Sequence, residues 1–309
     1  MNSKQYTLEV GGKTLTAEFN DLAEQAHGSV MLRYGNTVVL ATAVMGKEPK
    51  DSDFFPLTVE YEERFYASGK ILGSRFMKRE GRPSDEAILS GRIVDRTIRP
   101  LFEQHIRHEV QVVLTVLSID QDDPDVVSVI AASLALGTSH IPWNGPVSAV
   151  RIAHNEGFHI NPNYDERDEA GITLELVACG KDGLINMIEL GGKEVSESDV
   201  NVALEKASEE IEKIQAWQEK IIKEIGKTKK IIPKPVLTEG TEELFAKEIE
   251  PKLKEYVFSG PGKDKMSEIA DIWMKVFTEK FSVGDKSLAE EYLDRKINDL
   301  IYDDAIDND

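Results

Sequence analysis

The stretch EVQVVLTVLSI, residues 109–119, is the strongest β-strand signal in the chain. Branched and aliphatic residues follow one another along it, which is typical of a strand buried inside a domain. Helical patterns lie on both sides of this stretch, at residues 84–99 and 125–136. A buried strand flanked by helices predicts a domain in which a sheet and helices pack on each other.

Further strand signals surround this centre, and turn residues such as glycine and asparagine separate them. The signals lie at residues 37–44, 57–61, 147–152, 172–177 and 185–189. Strands and helices that follow one another in this order predict an α/β or α+β fold with mixed sheets and packed helices.

The pattern changes after Ser196, where a long amphipathic helix is indicated. Ser196 and Asp199 approximate a capping box. One stripe then recurs every three or four residues: Val200, Leu204, Ala207, Ile211, Ile214, Gln218, Ile221 and Ile225. The stripe predicts a helix packed on the strand domain, and a free coiled coil is the alternative.

A break follows at Gly226, Pro233 and Pro235. Three helical segments come after it, at residues 241–256, 265–281 and 287–302, and the aspartate-rich end at 303–309 is typical of a solvated linker. We therefore expect two domains, at residues 1–228 and 229–309, of which the second is small and all-helical.

The amino-acid composition indicates the cellular compartment and excludes some classes of protein. The only cysteine among the 309 residues is Cys179, so an internal disulfide is excluded and a reducing compartment is favoured. No run of 18 apolar residues is present, and the first 16 residues do not resemble a signal peptide. We expect a cytoplasmic protein with no membrane partner.

The net charge of −19 opposes nucleic-acid binding, but the charge is unevenly distributed. Residues 64–107 contain ten lysines and arginines and five acids, a net charge of +5. Within them, residues 64–83 interleave aromatic and cationic side chains, which suits single-stranded nucleic acid because bases stack on rings and cations meet phosphates. The alternative is a solvated basic loop whose phenylalanine packs in the core.

The helix predicted after this loop carries three arginines on one face. Ser84 is a candidate N-cap, and Arg92, Arg96 and Arg99 follow at positions that share a side of the helix. Guanidinium groups so close together repel one another unless anions answer them. A nucleic-acid phosphate backbone would neutralise these guanidinium groups and accept two hydrogen bonds from each. The alternative is that they form ion pairs with neighbouring acids.

Four runs resemble a known family. They are DFFPLTV at 53–59, GRPS at 81–84, DRTIRPLF at 95–102 and IPWNGP at 141–146. In order and spacing they resemble the first core domain of bacterial polyribonucleotide nucleotidyltransferases, and the helical segment resembles that family's linker domain. The resemblance covers essentially the whole chain. It implies an RNase PH-like core domain and a ring-shaped homotrimer.

The same resemblance implies a function. Members degrade single-stranded RNA from 3′ to 5′ by phosphorolysis in mRNA degradation, consuming inorganic phosphate and releasing nucleoside diphosphates with Mg²⁺ as the cofactor. A family loop that reads Phe-Phe-Arg-Arg is matched here by Phe76-Met77-Lys78-Arg79. The resemblance predicts an RNA-binding set in this chain: Phe76, Met77, Lys78, Arg79, Arg82, Arg92, Arg96 and Arg99.

The catalytic pattern of the family's second core is not repeated here. By resemblance, Asp123-Pro124-Asp125 replaces a serine loop that binds phosphate; two carboxylates repel phosphate, and proline lacks the N–H that a cradle needs. Glu169 and Glu175 match metal-binding carboxylates, but Val177 replaces the lysine. We therefore expect no catalytic or metal-binding residue in this part, with the Mg²⁺ ligands in a second core.

Several alternatives remain open. Glu175 is either a metal ligand or an acid beside a strand. The whole chain is alternatively a non-catalytic RNA-binding or assembly subunit of an exosome-like ring, or a stand-alone RNase PH-type enzyme, which the Asp-Pro-Asp run disfavours. His105 and His108 lack an evident third ligand, and GKDG at 180–183 predicts a turn and not a phosphate loop.

Overall fold

The computed structural model describes residues 3–52, 54–71, 82–168, 171–260, 263–281 and 284–308. It contains two compact units, Met1–Ile232 and Pro233–Asp309. Residues after the predicted boundary at 228 still bind the first unit: the backbone N–H of Lys230 donates to the His140 carbonyl oxygen at 2.8 Å.

The first unit is built around a six-stranded sheet. Its strands are β1 (Lys4–Val10), β2 (Lys13–Phe19), β3 (Gly28–Tyr34), β4 (Thr37–Pro49), β5 (Leu57–Glu63) and β6 (His108–Ser118). They are ordered β1-β2-β3-β4-β6-β5. Of the pairings described, only that of β5 with β6 is parallel. The stretch at 109–119 is β6, and its Val110, Val112, Leu114 and Val116 are fully buried, so this prediction is confirmed.

A second sheet of four antiparallel strands completes this unit. It comprises β7 (Ser148–Asn155), β8 (Gly157–Ile160), β9 (Leu174–Lys181) and β10 (Leu184–Gly192), in the order β10-β9-β7-β8. The mixed α/β fold class is therefore confirmed. Asp182 and Gly183 join β9 to β10 with φ of 53° and 75°, which is the predicted turn at GKDG.

Four α-helices accompany these sheets in the described residues: α1 (Asp85–Ile98), α2 (Pro124–Thr138), α3 (Tyr164–Asp168) and α4 (Glu197–Ile225). Almost every residue of α2 is buried, because the helix contacts strands of both sheets. It approaches β3 so closely that a Cβ on Gly28 would lie 2.0 Å from the Ala135 carbonyl oxygen. Only glycine fits there.

Helix α4 packs on β7 and β9, as its stripe predicts. Ser196 is the N-cap and accepts a hydrogen bond from the Asp199 N–H. The glutamine in the stripe has a structural reason: Gln218 is fully buried, and its amide donates to the Val147 carbonyl oxygen at 2.9 Å and the Ser148 Oγ at 2.8 Å. The amide N–H group therefore pairs with Val147 and with Ser148, the first residue of β7.

The second unit is all-helical, with α5 (Thr241–Glu248), α6 (Glu250–Phe258), α7 (Lys263–Lys280) and α8 (Lys286–Asn308). Phe245, Trp273 and Phe277 centre its core. The predicted helical segment at 241–256 is present but divided into α5 and α6, so its prediction as one continuous helix is wrong: Ile249 lies between the two helices with φ of −114°, and Pro251 cannot donate a backbone hydrogen bond. The prediction of a linker at 303–309 is also wrong, since α8 continues to Asn308.

Each helix in the described ranges is too short or too polar to cross a lipid bilayer.

Candidate nucleic-acid interface

Helix α1 presents one buried face and one exposed face. It begins where predicted, because the Ser84 side chain accepts the Ala87 N–H at 3.1 Å. Ala87, Val94 and Ile98 are buried, and α1 packs on β5. The buried side fixes the direction of the opposite side, which carries arginines.

Arg92 and Arg96 lie on α1 and Arg99 directly follows its last residue, and the three arginines have different surroundings. Arg92 and Arg96 are exposed, and neither forms an ion pair within the described part of the chain. Arg99 is partly buried: its guanidinium meets Asp95 at 2.7 Å and donates to the Leu57 carbonyl oxygen at 3.2 Å. The ion-pair alternative thus holds for Arg99, whereas two cations remain available on the exposed face.

The predicted loop residues Phe76, Met77, Lys78 and Arg79 lie outside the described residues. Arg82 is described and exposed.

An open surface pocket lies beside Arg82, lined also by Arg64, Phe65 and Lys70. Phe65 and the neighbouring Tyr66 are 46% and 56% exposed, so these rings remain accessible at the surface. Arg64 pairs with Glu62 and is already partly neutralised. Aromatic and cationic side chains thus adjoin one another on the described side of the loop.

Asp123 and Asp125 do not face solvent as an open anion-repelling pair. Asp123 is the N-cap of α2 and accepts the Asp125 N–H at 3.0 Å. Its other carboxylate oxygen accepts from Arg151 at 2.8 Å and from Arg167 at 2.7 Å. The Asp125 carboxylate lies 3.6 Å from the same Arg151 guanidinium.

Glu175 belongs to the same group of charges. It pairs with Arg151 and with Arg167, the latter at 2.6 Å. We call Asp123, Asp125, Arg151, Arg167 and Glu175 the carboxylate–guanidinium cluster. Glu175 is thus a residue of β9 whose carboxylate is held by two guanidinium groups, and not an exposed acid beside a strand. The two arginines were not identified from the sequence.

Burial shapes the electrostatics of this cluster. Arg151 has a side chain only 9% exposed, so its ion pairs are shielded from water. Burial, and then the negative charge of Asp123, raises the pKa of the Asp125 carboxyl to about 6. Burial also raises the pKa of the nearby Tyr164 hydroxyl to about 12.

The cluster is chemically closed. Its guanidinium groups are already held by three carboxylates, so an entering phosphate would have to displace them. Within the described ranges no group of three or more His, Cys, Asp or Glu side chains is arranged to hold a metal ion. Glu169 lies outside these ranges, and Val177 is buried in β9. The described carboxylates of this cluster are occupied by guanidinium groups and do not fit a divalent cation.

The structure also shows where His105 and His108 lie. His105 Nε2 lies 3.2 Å from the Ile232 carbonyl oxygen, and His108 begins β6. Both histidines lie in the first unit, where His105 has a structural contact.

Comparison with known proteins was made on sequence and on structure. The 3′ exoribonuclease family, domain 1, matches residues 11–142. The polyribonucleotide nucleotidyltransferase of Heliobacterium modesticaldum is 44% identical over 270 residues, covering 86% of this chain and 37% of that protein. Those of Exiguobacterium sibiricum and Bacillus subtilis are 48% and 47% identical, over 72% and 78% of this chain.

The chain spans only 30% to 37% of the length of these three relatives. Among solved structures, rice (Oryza sativa) Rrp46 matches with a TM-score of 0.55 and 16% identity, over 67% of this chain and 94% of that one. At this identity the likeness shows the fold alone, and it agrees with the expected RNase PH-like core.

Proposed function

The chain belongs to the polyribonucleotide nucleotidyltransferase family, whose N-terminal part it matches, and from this premise we propose that it guides single-stranded RNA toward a catalytic centre that it does not itself contain. In the proposed reaction, a phosphate oxygen attacks the 3′-terminal phosphodiester and the 3′-oxygen of the preceding nucleotide leaves. The product is a nucleoside diphosphate, and the RNA shortens from 3′ to 5′.

The observation that carries this proposal is a contrast between two groups of arginines. Arg92 and Arg96 are exposed on α1 and have no ion pair in the described structure, so they can meet an RNA backbone. Arg151 and Arg167 are already neutralised in the carboxylate–guanidinium cluster. Positive charge is thus available for a polymer on α1, whereas the guanidinium groups of the carboxylate–guanidinium cluster are unavailable for inorganic phosphate.

The proposed RNA path includes the loop before α1. Phe76 and Met77 would contact bases, and Lys78, Arg79 and Arg82 would meet phosphates, because stacking combined with backbone contacts binds single strands without sequence preference. The exposed rings of Phe65 and Tyr66 adjoin this loop in sequence and support the same role.

Other parts of the proposal concern the whole enzyme. It would act as a homotrimeric ring in the cytoplasm, in mRNA degradation, with Mg²⁺ held by carboxylates of a second core. When bound, Mg²⁺ would stabilise negative charge as the phosphodiester breaks. This chain would contribute binding and orientation of the RNA.

A non-catalytic RNA-binding or assembly subunit is the second candidate, because the closed cluster suits it equally well. Sequencing the gene downstream of the codon for residue 309 distinguishes the two candidates. A second core with a serine loop and an Asp-x5-Asp-x-Lys pattern in that region would support the nucleotidyltransferase.

The proposed absence of catalysis can be tested on the chain itself. Incubated with poly(A), inorganic phosphate and Mg²⁺, it should release no nucleoside diphosphate above a protein-free control. A complete family enzyme, such as that of Bacillus subtilis, serves as the positive control. Sustained release by this chain would contradict the assignment of catalysis to another part.

A further inference from the structure

A second group of basic side chains lies away from α1, in residues 226–232, which run along the C-terminal end of α2. The Lys227 N–H donates to the Thr138 carbonyl oxygen at 3.0 Å, and the Lys230 N–H donates to the His140 carbonyl oxygen at 2.8 Å. The backbone is thereby fixed to the core, and its lysines are held in place.

Lys229 has a structural role in this segment. Its ammonium donates to the carbonyl oxygens of Leu136, Gly137 and Ser139 at 2.7, 3.0 and 2.9 Å. A cation at the C-terminus of a helix satisfies carbonyls that have no partner within the helix. Burial lowers the pKa of the Lys229 ammonium to about 8. Its hydrogen-bonding capacity is therefore already used.

Lys227 and Lys230 instead lie beside two histidines. The imidazole rings of His27 and His140 contact each other with centroids 4.3 Å apart. The Lys227 ammonium donates to the carbonyl oxygen of His27 at 2.7 Å. We call His27, His140, Lys227 and Lys230 the histidine–lysine cluster.

No carboxylate forms an ion pair with this cluster in the part of the chain that the structure describes. Asp21 and Glu24 line the same surface as His27 and Lys227, but neither is in ion-pair contact with them. Burial lowers the pKa of both imidazoles; the charges of Lys230 and Lys227 lower that of His27 further, and His27 and then the lysines lower that of His140. Lys227 and Lys230 thus form no ion pair in the described structure, although the chain has a net charge of −19.

The hydrogen bonds at His27 determine which of its ring nitrogens can donate to an anion. The Met45 N–H donates to His27 Nδ1 at 2.9 Å, so the neutral ring carries its proton on Nε2. His140 Nε2 is buried and has no partner within the described residues. An anion would therefore reach His27 and the two lysines directly and would act on His140 through its charge.

We propose that the histidine–lysine cluster binds a small oxyanion of the phosphate type. A dianion would neutralise two ammonium groups at once and would accept a hydrogen bond from His27 Nε2–H, relieving the repulsion between the lysines. The site is separate from the carboxylate–guanidinium cluster, and the inference does not depend on the proposed RNA-guiding function.

Imidazole NMR signals of the chain labelled in histidine test this proposal. Inorganic phosphate, titrated at constant ionic strength with chloride as the balancing anion, should shift the His27 and His140 signals to saturation. It should also raise the pKa of both rings, because a bound anion favours the imidazolium form. The double variant K227Q/K230Q should bind phosphate at least tenfold more weakly.

The charge-matched control is K193Q/K206Q, which removes two lysines from elsewhere in the first unit and should bind phosphate as the unaltered chain does. Thermal unfolding provides a second readout: phosphate should raise the Tm of the control variant and not that of K227Q/K230Q. Unchanged histidine signals, or equal phosphate binding by K227Q/K230Q, would overturn the proposal.

Discussion

Arg92, Arg96 and Arg99 lie within eight residues at the C-terminal end of α1, yet their guanidinium groups meet different neighbours. Asp95 and the Leu57 carbonyl oxygen hold Arg99, whereas Arg92 and Arg96 extend from the exposed face without an ion pair in the described structure. The helical spacing predicted exposed positions for Arg92 and Arg96, whereas Arg99 is partly buried. It could not predict the contact with Leu57, because that residue lies on another element.

Arg151, in contrast to the exposed arginines of α1, is a buried cation whose charge contributes to the stability of the fold. We expect Arg151→Met to lower the free energy of unfolding by about 3–5 kcal/mol, because it leaves Asp123 and Asp125 without their shared cation. Urea denaturation followed by circular dichroism measures this loss. Lys213→Met, which removes an exposed ion pair with Glu210, should cost less than about 1 kcal/mol.

A second substitution separates charge repulsion from lost packing at this position. If repulsion between the carboxylates is the cause, Arg151→Met combined with Asp125→Asn should be more stable than Arg151→Met alone. A double variant no more stable than the single one would attribute the loss to packing of the arginine side chain.

At the scale of elements, α1 connects local sequence signals to the candidate interface. The Ser84 cap, the apolar face and the arginine face were all predictable, because each depends on residues within four positions of one another. The helix therefore places Arg92 and Arg96 through its own sequence and through its packing on β5.

The contribution of the cap can be measured directly. Ser84→Ala should lower the free energy of unfolding by about 1 kcal/mol, because the Ala87 N–H loses its acceptor. Ser84→Asp should retain most of the stability, since aspartate also caps helices and interacts favourably with the helix dipole. Equal stability of Ser84→Ala and the unaltered chain in urea denaturation would argue against a capping role.

At the scale of the whole molecule, the sequence predicted the mixed fold because buried strands and amphipathic helices carry local periodicities. The carboxylate–guanidinium cluster was not predictable in the same way. Its members come from separate elements: Asp123 caps α2, Arg151 is on β7, Arg167 on α3 and Glu175 on β9. Only the packing of the two sheets around α2 brings them together.

The proposed separation of RNA binding from catalysis concerns the whole molecule. Exposed cations on α1 and neutralised cations in the closed cluster coexist in one acidic chain. Because salt screens charges beyond about 10 Å, a local basic surface can bind RNA despite the net charge. The predicted binding is therefore sensitive to salt and indifferent to RNA sequence.

The most direct test is the salt dependence of the affinity for a single-stranded RNA oligonucleotide, measured by fluorescence anisotropy. The unaltered chain and the charge-matched variant K252Q/K254Q should bind with the same steep dependence on salt. For R92Q/R96Q we predict weaker binding and a slope smaller by about 1.4, since two phosphate contacts are lost. An R92Q/R96Q variant with unchanged affinity and slope would contradict the assignment of RNA to this helix.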